Sequence, residues 1–166
     1  LEGFGLPRMS PEQAPARYAE WLDELRKPVR NSRYESVAQL ATVLRRRNAR
    51  LPPAHAEFLA AAWSRPRADG GIELRADPWH RLVNPILYRR EEAEACWRRA
   101  DAPMLLVFGG ESDFHRRLGD DGTHAYYHSI FSRLQIAEVP GAGHMMHHEA
   151  PGAVAAAITG WVARQR

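Results

Sequence analysis

One short segment limits the possible folds of this chain more than any other. Met104-Leu105-Leu106-Val107-Phe108 is a continuous apolar run, with Pro103 before it and Gly109-Gly110 after it. A run without alternation predicts a strand that is buried on both faces, as in a parallel sheet covered by helices on each side. The rest of the chain therefore has to supply helices and at least one neighbouring strand.

The sequence after this strand provides such elements. Thr123 to Arg133 has the pattern of a helix, and Leu134 to Val139 that of a second strand, closed by Pro140-Gly141. A last helix is predicted after Pro151. Its apolar positions, expected to face inward, are Val154, Ile158, Trp161 and Val162. Strand, helix, strand, helix is the pattern of an α/β fold.

The sequence before residue 100 is mainly helical in pattern, with a short extended segment at Ile72 to Ala76. Ser10-Pro11-Glu12-Gln13 predicts a capped helix start, and Pro52-Pro53 opens a later helix. The residues expected on the apolar faces of four helices are Tyr18, Trp21, Leu22 and Leu25, then Tyr34, Val37, Leu40, Ala41 and Leu44, then Phe58, Leu59, Ala62 and Trp63, and lastly Ala93, Cys96, Trp97 and Ala100.

Composition excludes several classes of protein. Of the 166 residues 45% are hydrophobic and 26% charged, which is enough apolar material for a core. No run of 18 apolar residues exists, so we predict no membrane partner. The net charge is +3, but basic residues alternate with acidic ones, so we predict no nucleic-acid partner. A single cysteine excludes an internal disulfide framework, and we predict a cytoplasmic protein.

Two loops carry the residues best suited to catalysis. Gly110-Glu111-Ser112-Asp113 follows the first strand, and Gly141-Ala142-Gly143-His144 follows the second. Functional groups gather at the carboxyl ends of parallel strands, so Asp113 and His144 can meet there. Asp113 would then accept a hydrogen bond from one ring nitrogen of His144 and support its imidazolium form. The alternative is an exposed histidine and an aspartate that only caps a helix.

A group of histidines also raises the possibility of a metal site. His144, His147, His148 and Glu149 lie close together in sequence, but the H-E-x-x-H pattern of zinc peptidases is absent. Gly143 and Pro151 bracket the segment as a loop, and no distant third ligand is evident. We therefore predict neither a metal nor any other cofactor.

Three segments together resemble the α/β-hydrolase family. Residues 104–113 resemble its acid-bearing strand and turn, and residues 139–151, with Gly141-Ala142-Gly143-His144, resemble its histidine loop and the start of its closing helix. Leu1-Glu2-Gly3-Phe4-Gly5-Leu6-Pro7 is similar to the end of the strand that precedes its cap. The resemblance implies three parts: a strand end and loop at 1–9, a helical cap at 10–100, and a C-terminal part of the core at 101–166.

The resemblance also shows which part of the family's site is absent. The family's G-x-S-x-G nucleophile motif does not occur in the chain. Ser112 follows a strand and a glycine, but Phe114 replaces the second glycine, and the nucleophile precedes the acid in this fold. We therefore expect the nucleophile in a preceding N-terminal half of the same protein, which would be a partner of this chain. Glu2 is an alternative to Asp113 as the acid, because some family members carry their acid on the earlier strand.

The resemblance implies a bacterial hydrolase that cleaves an ester-like bond in a small, fairly apolar substrate by means of a nucleophile–acid–histidine triad. His144 and Asp113 would be its catalytic residues in this chain. One alternative is an epoxide hydrolase or haloalkane dehalogenase with an Asp nucleophile. Another is a binding module that keeps the fold without catalysis. The substrate-binding residues are not predicted, although Asp77-Pro78-Trp79-His80 is interpreted as cap packing, with pocket lining as the alternative.

Overall fold

The computed structural model describes residues 5–165, so Glu2 lies outside the described residues. The chain divides into two compact units. The core unit consists of residues 5–9 and 88–165, and the inserted unit consists of residues 10–87. Residues 88–100, which the sequence analysis assigns to the cap, are part of the core unit.

The described residues form helices and short strands. The helices are α1 (Ala14–Leu25), α2 (Val37–Arg47), α3 (Pro53–Trp63), α4 (Arg90–Trp97), α5 (His124–Ile130), α6 (Met146–Glu149) and α7 (Pro151–Ala163). The strands are β1 (Arg33–Tyr34), β2 (Ser64–Pro66), β3 (Ile72–Leu74), β4 (Met104–Gly109) and β5 (Leu134–Val139). Short 3-10 helices occupy Pro11–Gln13, Pro78–Arg81 and Arg116–Gly122.

Strands β4 and β5 pair in parallel, in a register that joins Met104 to Leu134 and Gly109 to Val139. The prediction that the first strand is buried on both faces is confirmed, because its side chains alternate between two apolar clusters. One cluster contains Leu106, Phe108, Tyr127, Ile130, Phe131 and Leu134. The other contains Val107, Val139, Ala142, Met146 and Val154. Helix α5 thus covers one face of the pair, and α6 and the start of α7 cover the other, which gives an α/β fold.

The inserted unit has a separate small core. Its buried side chains, which come mainly from α2 and α3, are Leu40, Ala41, Leu51, Ala56, Leu59, Ala60 and Ile72. Strands β1, β3 and β2 form an antiparallel sheet in that order, and β3 contributes Ile72 to this core. The predicted inward position of Phe58 is wrong, since the side chain is 72% exposed while Leu59 is buried.

The predicted capping box forms, since the side chain of Gln13 accepts a hydrogen bond from the Ser10 backbone N–H at 2.8 Å. It starts the 3-10 helix Pro11–Gln13, which leads directly into α1 at Ala14. Helix α1 has no buried residue. Tyr18 and Leu22 on its apolar face are each 48% exposed. The described residues therefore leave the apolar face of α1 largely open.

Helix α4 buries charge rather than the apolar side chains that its pattern predicts. Cys96, expected inside, is exposed. Arg90 is completely buried and Glu94 is 4% exposed. The two lie one helical turn apart and form an ion pair of 2.9 Å between Arg90 Nε and Glu94 Oε1. The prediction is therefore wrong for Cys96, whereas the predicted Trp97 is partly buried and packs against the apolar cluster that contains Phe131.

The partners of Arg90 explain how a charge can be buried here. Its two Nη groups donate to the carbonyl oxygens of Leu6 at 2.9 Å and Asp121 at 3.1 Å. The guanidinium also lies over the Tyr126 ring, 5.2 Å from its centroid. Tyr126 donates a hydrogen bond to Glu94. Buried charges are tolerated when they are paired and hydrogen-bonded in this way.

A second arginine joins the same group. Arg8 Nη2 donates to Glu94 Oε1 at 2.6 Å, and Arg8 Nε lies 2.8 Å from Asp121 Oδ2. Burial opposes ionisation of Glu94, but the hydrogen bonds from Tyr126 and Arg90 and the positive charges of Arg8 and Arg90 hold its pKa below the ordinary value. Residues 6–8, α4 and the segment around Asp121 are thereby joined by one ionic cluster.

Helix α7 begins at Pro151 as predicted, but its inward residues are only partly as expected. Val154 is buried, whereas Ile158 is 39% and Val162 42% exposed. The two apolar side chains border a cavity of about 380 Å³ with Thr159 and Ala163. Within residues 5–165, no helix combines the length and the apolar character needed to cross a membrane.

Candidate functional site

The carboxyl ends of β4 and β5 bring the two predicted loops into direct contact. The Gly110 N–H donates to the Val139 carbonyl oxygen at 3.0 Å, and the Glu111 N–H donates to the Ala142 carbonyl oxygen at 2.9 Å. These bonds continue the parallel ladder beyond its last strand residues. The acid loop and the histidine loop therefore lie side by side at one edge of the sheet.

Glycine is required where the two loops cross. A Cβ atom at Gly109 would lie 2.2 Å from the Gly143 carbonyl oxygen and 2.6 Å from that of Ala142. A backbone oxygen cannot move aside as a side chain can. Gly141 enters the loop with φ 72, in the left-handed region that favours glycine. The sequence around His144 thus depends on small residues in both loops.

His144 follows this crossing directly and is exposed. Its ring stacks on Phe114, with the ring centroids 4.7 Å apart and the planes at 13°. Phe114 is the residue immediately after Asp113. The sequence analysis noted Phe114 only as the residue that replaces a glycine, because periodicity gives no signal for a contact between two loop side chains.

Asp113 lies on the acid loop with its side chain 63% exposed, and it forms a salt bridge with Arg116, three residues later. The Arg116 Nη2 group donates to Asp113 Oδ1. The direct hydrogen bond from His144 to Asp113 stays a prediction. The structure places the two residues on adjoining loops, where His144 stacks on Phe114 and Asp113 pairs with Arg116.

Ser112 occupies a position unsuited to a nucleophile. It is 2% exposed, and its hydroxyl oxygen accepts a hydrogen bond from the Phe114 N–H at 3.1 Å. Its own N–H donates to the Gly109 carbonyl oxygen at 3.0 Å. The hydroxyl therefore stabilises the turn that carries Asp113 and Phe114.

The segment after His144 forms the short helix α6, which carries the other two histidines. The rings of His147 and His148 have centroids 4.0 Å apart. Partial burial, together with the neighbouring His147, lowers the pKa of His148 below its ordinary value, against the opposing effect of Glu149. Among the described residues, no three histidine, cysteine or acidic side chains cluster as metal ligands.

Glu149 ends α6 and reaches back to the histidine loop. Its Oε2 atom accepts a hydrogen bond from the Gly143 N–H at 2.6 Å. Sequence analysis placed Glu149 only in the rejected metal group and in the family resemblance. No periodicity in the sequence indicates this contact, because Gly143 and Glu149 are six residues apart and the short helix α6 brings them together.

Comparison with solved structures identifies the fold. The chain matches the thioesterase domain from the curacin biosynthetic pathway with a TM-score of 0.71 and 22% sequence identity, over 94% of this chain and 53% of that one. It matches E-2-(acetamidomethylene)succinate hydrolase with a TM-score of 0.64 and 20% identity, over 95% and 55%. It matches an esterase from Mycobacterium tuberculosis with a TM-score of 0.67 and 18% sequence identity, over 91% of this chain and 48% of that one.

These neighbours are hydrolases of the α/β-hydrolase fold, and the chain has part of that fold. It spans about half the length of the structures that it matches. No family model matches the sequence. No curated protein matches it either.

Proposed function

We propose that this chain is the cap and acid–histidine part of an α/β-fold hydrolase that cleaves an ester-like bond in a small, fairly apolar substrate. The observation that carries the proposal is the joining of the Asp113 loop and the His144 loop at the carboxyl edge of β4 and β5, through the Glu111–Ala142 hydrogen bond of 2.9 Å. A fold whose solved neighbours include a thioesterase and an esterase supports the same reaction class.

His144 is the general base in this proposal. It takes the proton from a nucleophile as the nucleophile attacks the substrate carbonyl, and it then gives that proton to the leaving alcohol. A water molecule repeats the cycle and releases the acid. Asp113 accepts a hydrogen bond from the other ring nitrogen. Arg116 occupies Oδ1, and a carboxylate has a second oxygen that can receive the bond from His144.

The nucleophile belongs to a preceding half of the protein in this proposal. The exposed side chains of Ile158 and Val162 on α7 support this assignment. So does the parallel sheet, which has two strands within residues 5–165, since parallel sheets ordinarily have more strands and are covered on both faces. The length of the matched structures, about twice the span of this chain, is consistent with such a half.

The inserted unit serves as the cap, and exposed apolar side chains on it favour an apolar substrate. Leu22 on α1 is 48% exposed, and Trp79 is 53% exposed. The interpretation of Trp79 as packed is therefore wrong. Asp77 instead caps the short helix there, because its carboxylate accepts a hydrogen bond from the Trp79 N–H at 3.0 Å.

The test uses the complete protein and three substrates: a short-chain aryl ester, an epoxide and a haloalkane. His144→Ala should lower turnover of the substrate that reacts by about a thousandfold or more, with little change in KM. His147→Ala, an exposed histidine on α6, is the control and should retain most activity. Wild-type turnover in His144→Ala, or no reaction with any of the three substrates, would contradict the proposal.

A further inference from the structure

Glu149, at the end of α6, forms a hydrogen bond with the backbone of the histidine loop. Its carboxylate lies 2.6 Å from the backbone nitrogen of Gly143, the residue directly before His144. A hydrogen bond from a peptide N–H to a carboxylate is charge-assisted, and such bonds are about twice as strong as neutral ones. Gly143 is buried, so removal of the Glu149 carboxylate would leave the Gly143 N–H without a partner that water could readily replace.

The peptide that Glu149 holds is already fixed on its other side. The Ala142 carbonyl oxygen accepts from Glu111, and the Gly143 carbonyl oxygen lies against Gly109. From α6, the Glu149 side chain supplies a hydrogen bond to the same peptide. The backbone is thus restrained by contacts from the end of β4 and from helix α6, and His144 is the next residue along the chain.

This restraint matters for the position of the His144 side chain, because His144 itself is exposed. Stacking on Phe114 restrains the plane of the imidazole, but the direction of the Cα–Cβ bond follows from the backbone. The backbone before His144 must therefore be held in place. A catalytic group displaced by about 1 Å can lose about a hundredfold in rate.

We infer that Glu149 is a positioning residue for His144, acting through the Gly143 N–H. The inference rests on the proposed function. The carboxylate need not meet the substrate or take a proton; it needs only to accept one hydrogen bond. A glutamine side chain of the same length keeps an acceptor oxygen at this position, whereas alanine keeps none.

Two substitutions separate this role from others. In the complete protein, Glu149→Ala should lower kcat by about ten- to a hundredfold while KM changes by less than about twofold. Glu149→Gln should recover kcat to within about threefold of wild type. Glu92→Ala on α4 removes an exposed carboxylate of the same unit, whose ion pair is with the exposed Arg89, and is the matched control.

A spectroscopic measurement makes the test independent of activity. The amide proton of Gly143 should resonate downfield in the wild-type protein and in Glu149→Gln, and it should move upfield in Glu149→Ala. The same spectra report whether each variant is folded. If Glu149→Ala does not fold, the Glu149→Gln kcat and amide shift decide the question.

Several outcomes would overturn the inference. One is a Glu149→Ala kcat equal to that of Glu92→Ala while His144→Ala is inactive. Another is a Glu149→Gln variant that is as slow as Glu149→Ala and has a shifted pH–rate profile. In that case the negative charge of Glu149, rather than its acceptor oxygen, would act on His144. Failure of the proposed function is a different result, since His144→Ala would then keep its turnover whatever Glu149 does.

Discussion

Phe114 and His144 stack face to face across the two loops, with ring centroids 4.7 Å apart and planes inclined by 13°. Phe114 belongs to the loop that follows β4, and His144 to the loop that follows β5. The stacked ring therefore restrains the imidazole from the side of the predicted acid. On the side of α6, the Glu149 carboxylate accepts a hydrogen bond from the N–H of Gly143, the residue before His144.

The stacked ring leads to the first prediction. Phe114→Ala in the complete protein should lower kcat by up to about tenfold, because aromatic pairs contribute about 0.5–1.5 kcal/mol beyond their buried area. KM should change little. Phe114→Tyr, which keeps the ring, is the control and should behave as wild type. Steady-state kinetics on the reactive substrate decide the matter, and equal rates for the alanine and tyrosine variants would contradict a positioning role for the ring.

The ionic cluster of α4 predicts a large effect on stability. Arg90→Met leaves Glu94 buried with part of its charge uncompensated, and loss of one partner from a buried pair costs about 3–5 kcal/mol. The double variant Arg90→Met with Glu94→Leu should recover much of that loss. Arg98→Met is the control, since Arg98 is about half exposed and its pair with Glu94 should contribute less than about 1 kcal/mol.

The measurement is urea unfolding of the three variants and the wild type under identical conditions. An Arg90→Met variant no less stable than Arg98→Met would show that the buried charges do not support the core unit.

His148 predicts a pH dependence of stability. Its pKa in the folded protein lies below the ordinary value of about 6.5, chiefly because of burial. The unfolded chain therefore binds more protons than the folded one between the two values. The contribution of His148 is fully present above about pH 6.5 and is lost as the pH falls towards the folded-state pKa.

Urea unfolding of the wild type and of His148→Asn between pH 5 and 8 measures this contribution. The free energy of unfolding should fall more steeply with decreasing pH in the wild type than in the variant. Parallel curves for the two proteins would refute the assignment.

The sequence predicted the strands of the core unit well and some helix faces poorly. Leu134 to Val139 has the predicted bounds, because proline and glycine mark the end of a buried apolar run. Cys96 was misplaced because apolar periodicity assumes that charges face water. The partners that allow Arg90 inside, such as Asp121 and Leu6, are distant in sequence. No local pattern could have revealed them.

In the candidate site, the positions of the loops are predictable from the sequence, whereas the side-chain contacts are not. The neighbouring loops of Asp113 and His144 follow from strand order alone, since parallel strands end at one edge. The salt bridge of Asp113 with Arg116 depends on side-chain rotamers, which a pattern of residue types does not specify. The reach of Glu149 back to Gly143 depends on the short helix α6, which the sequence analysis interpreted as part of a loop.

The open apolar side of α7 gives a further prediction. If a preceding half of the protein covers Ile158 and Val162, then Val162→Asp should destabilise the complete protein, because a buried unpaired charge is costly. In the isolated chain the same change should be neutral or should reduce aggregation. Ala153→Asp, an exposed position elsewhere on α7, is the control. Thermal melting of both forms provides the comparison, and equal effects of Val162→Asp in the two forms would argue against a covering half.

The route of the chain through the core unit has a consequence for folding. The chain leaves this unit after Met9 and re-enters at Tyr88, whose N–H donates to Met9 Sδ at 3.4 Å. Contacts such as Arg8 with Glu94 must close a loop of 86 residues. The closure costs about 4 kcal/mol in chain entropy apart from a constant. That cost falls if residues 10–87 collapse first and bring the two crossing points together. We expect pulse-labelling hydrogen exchange to protect α2 and α3 before α4, and the reverse order would show that the core unit closes around an unfolded insertion.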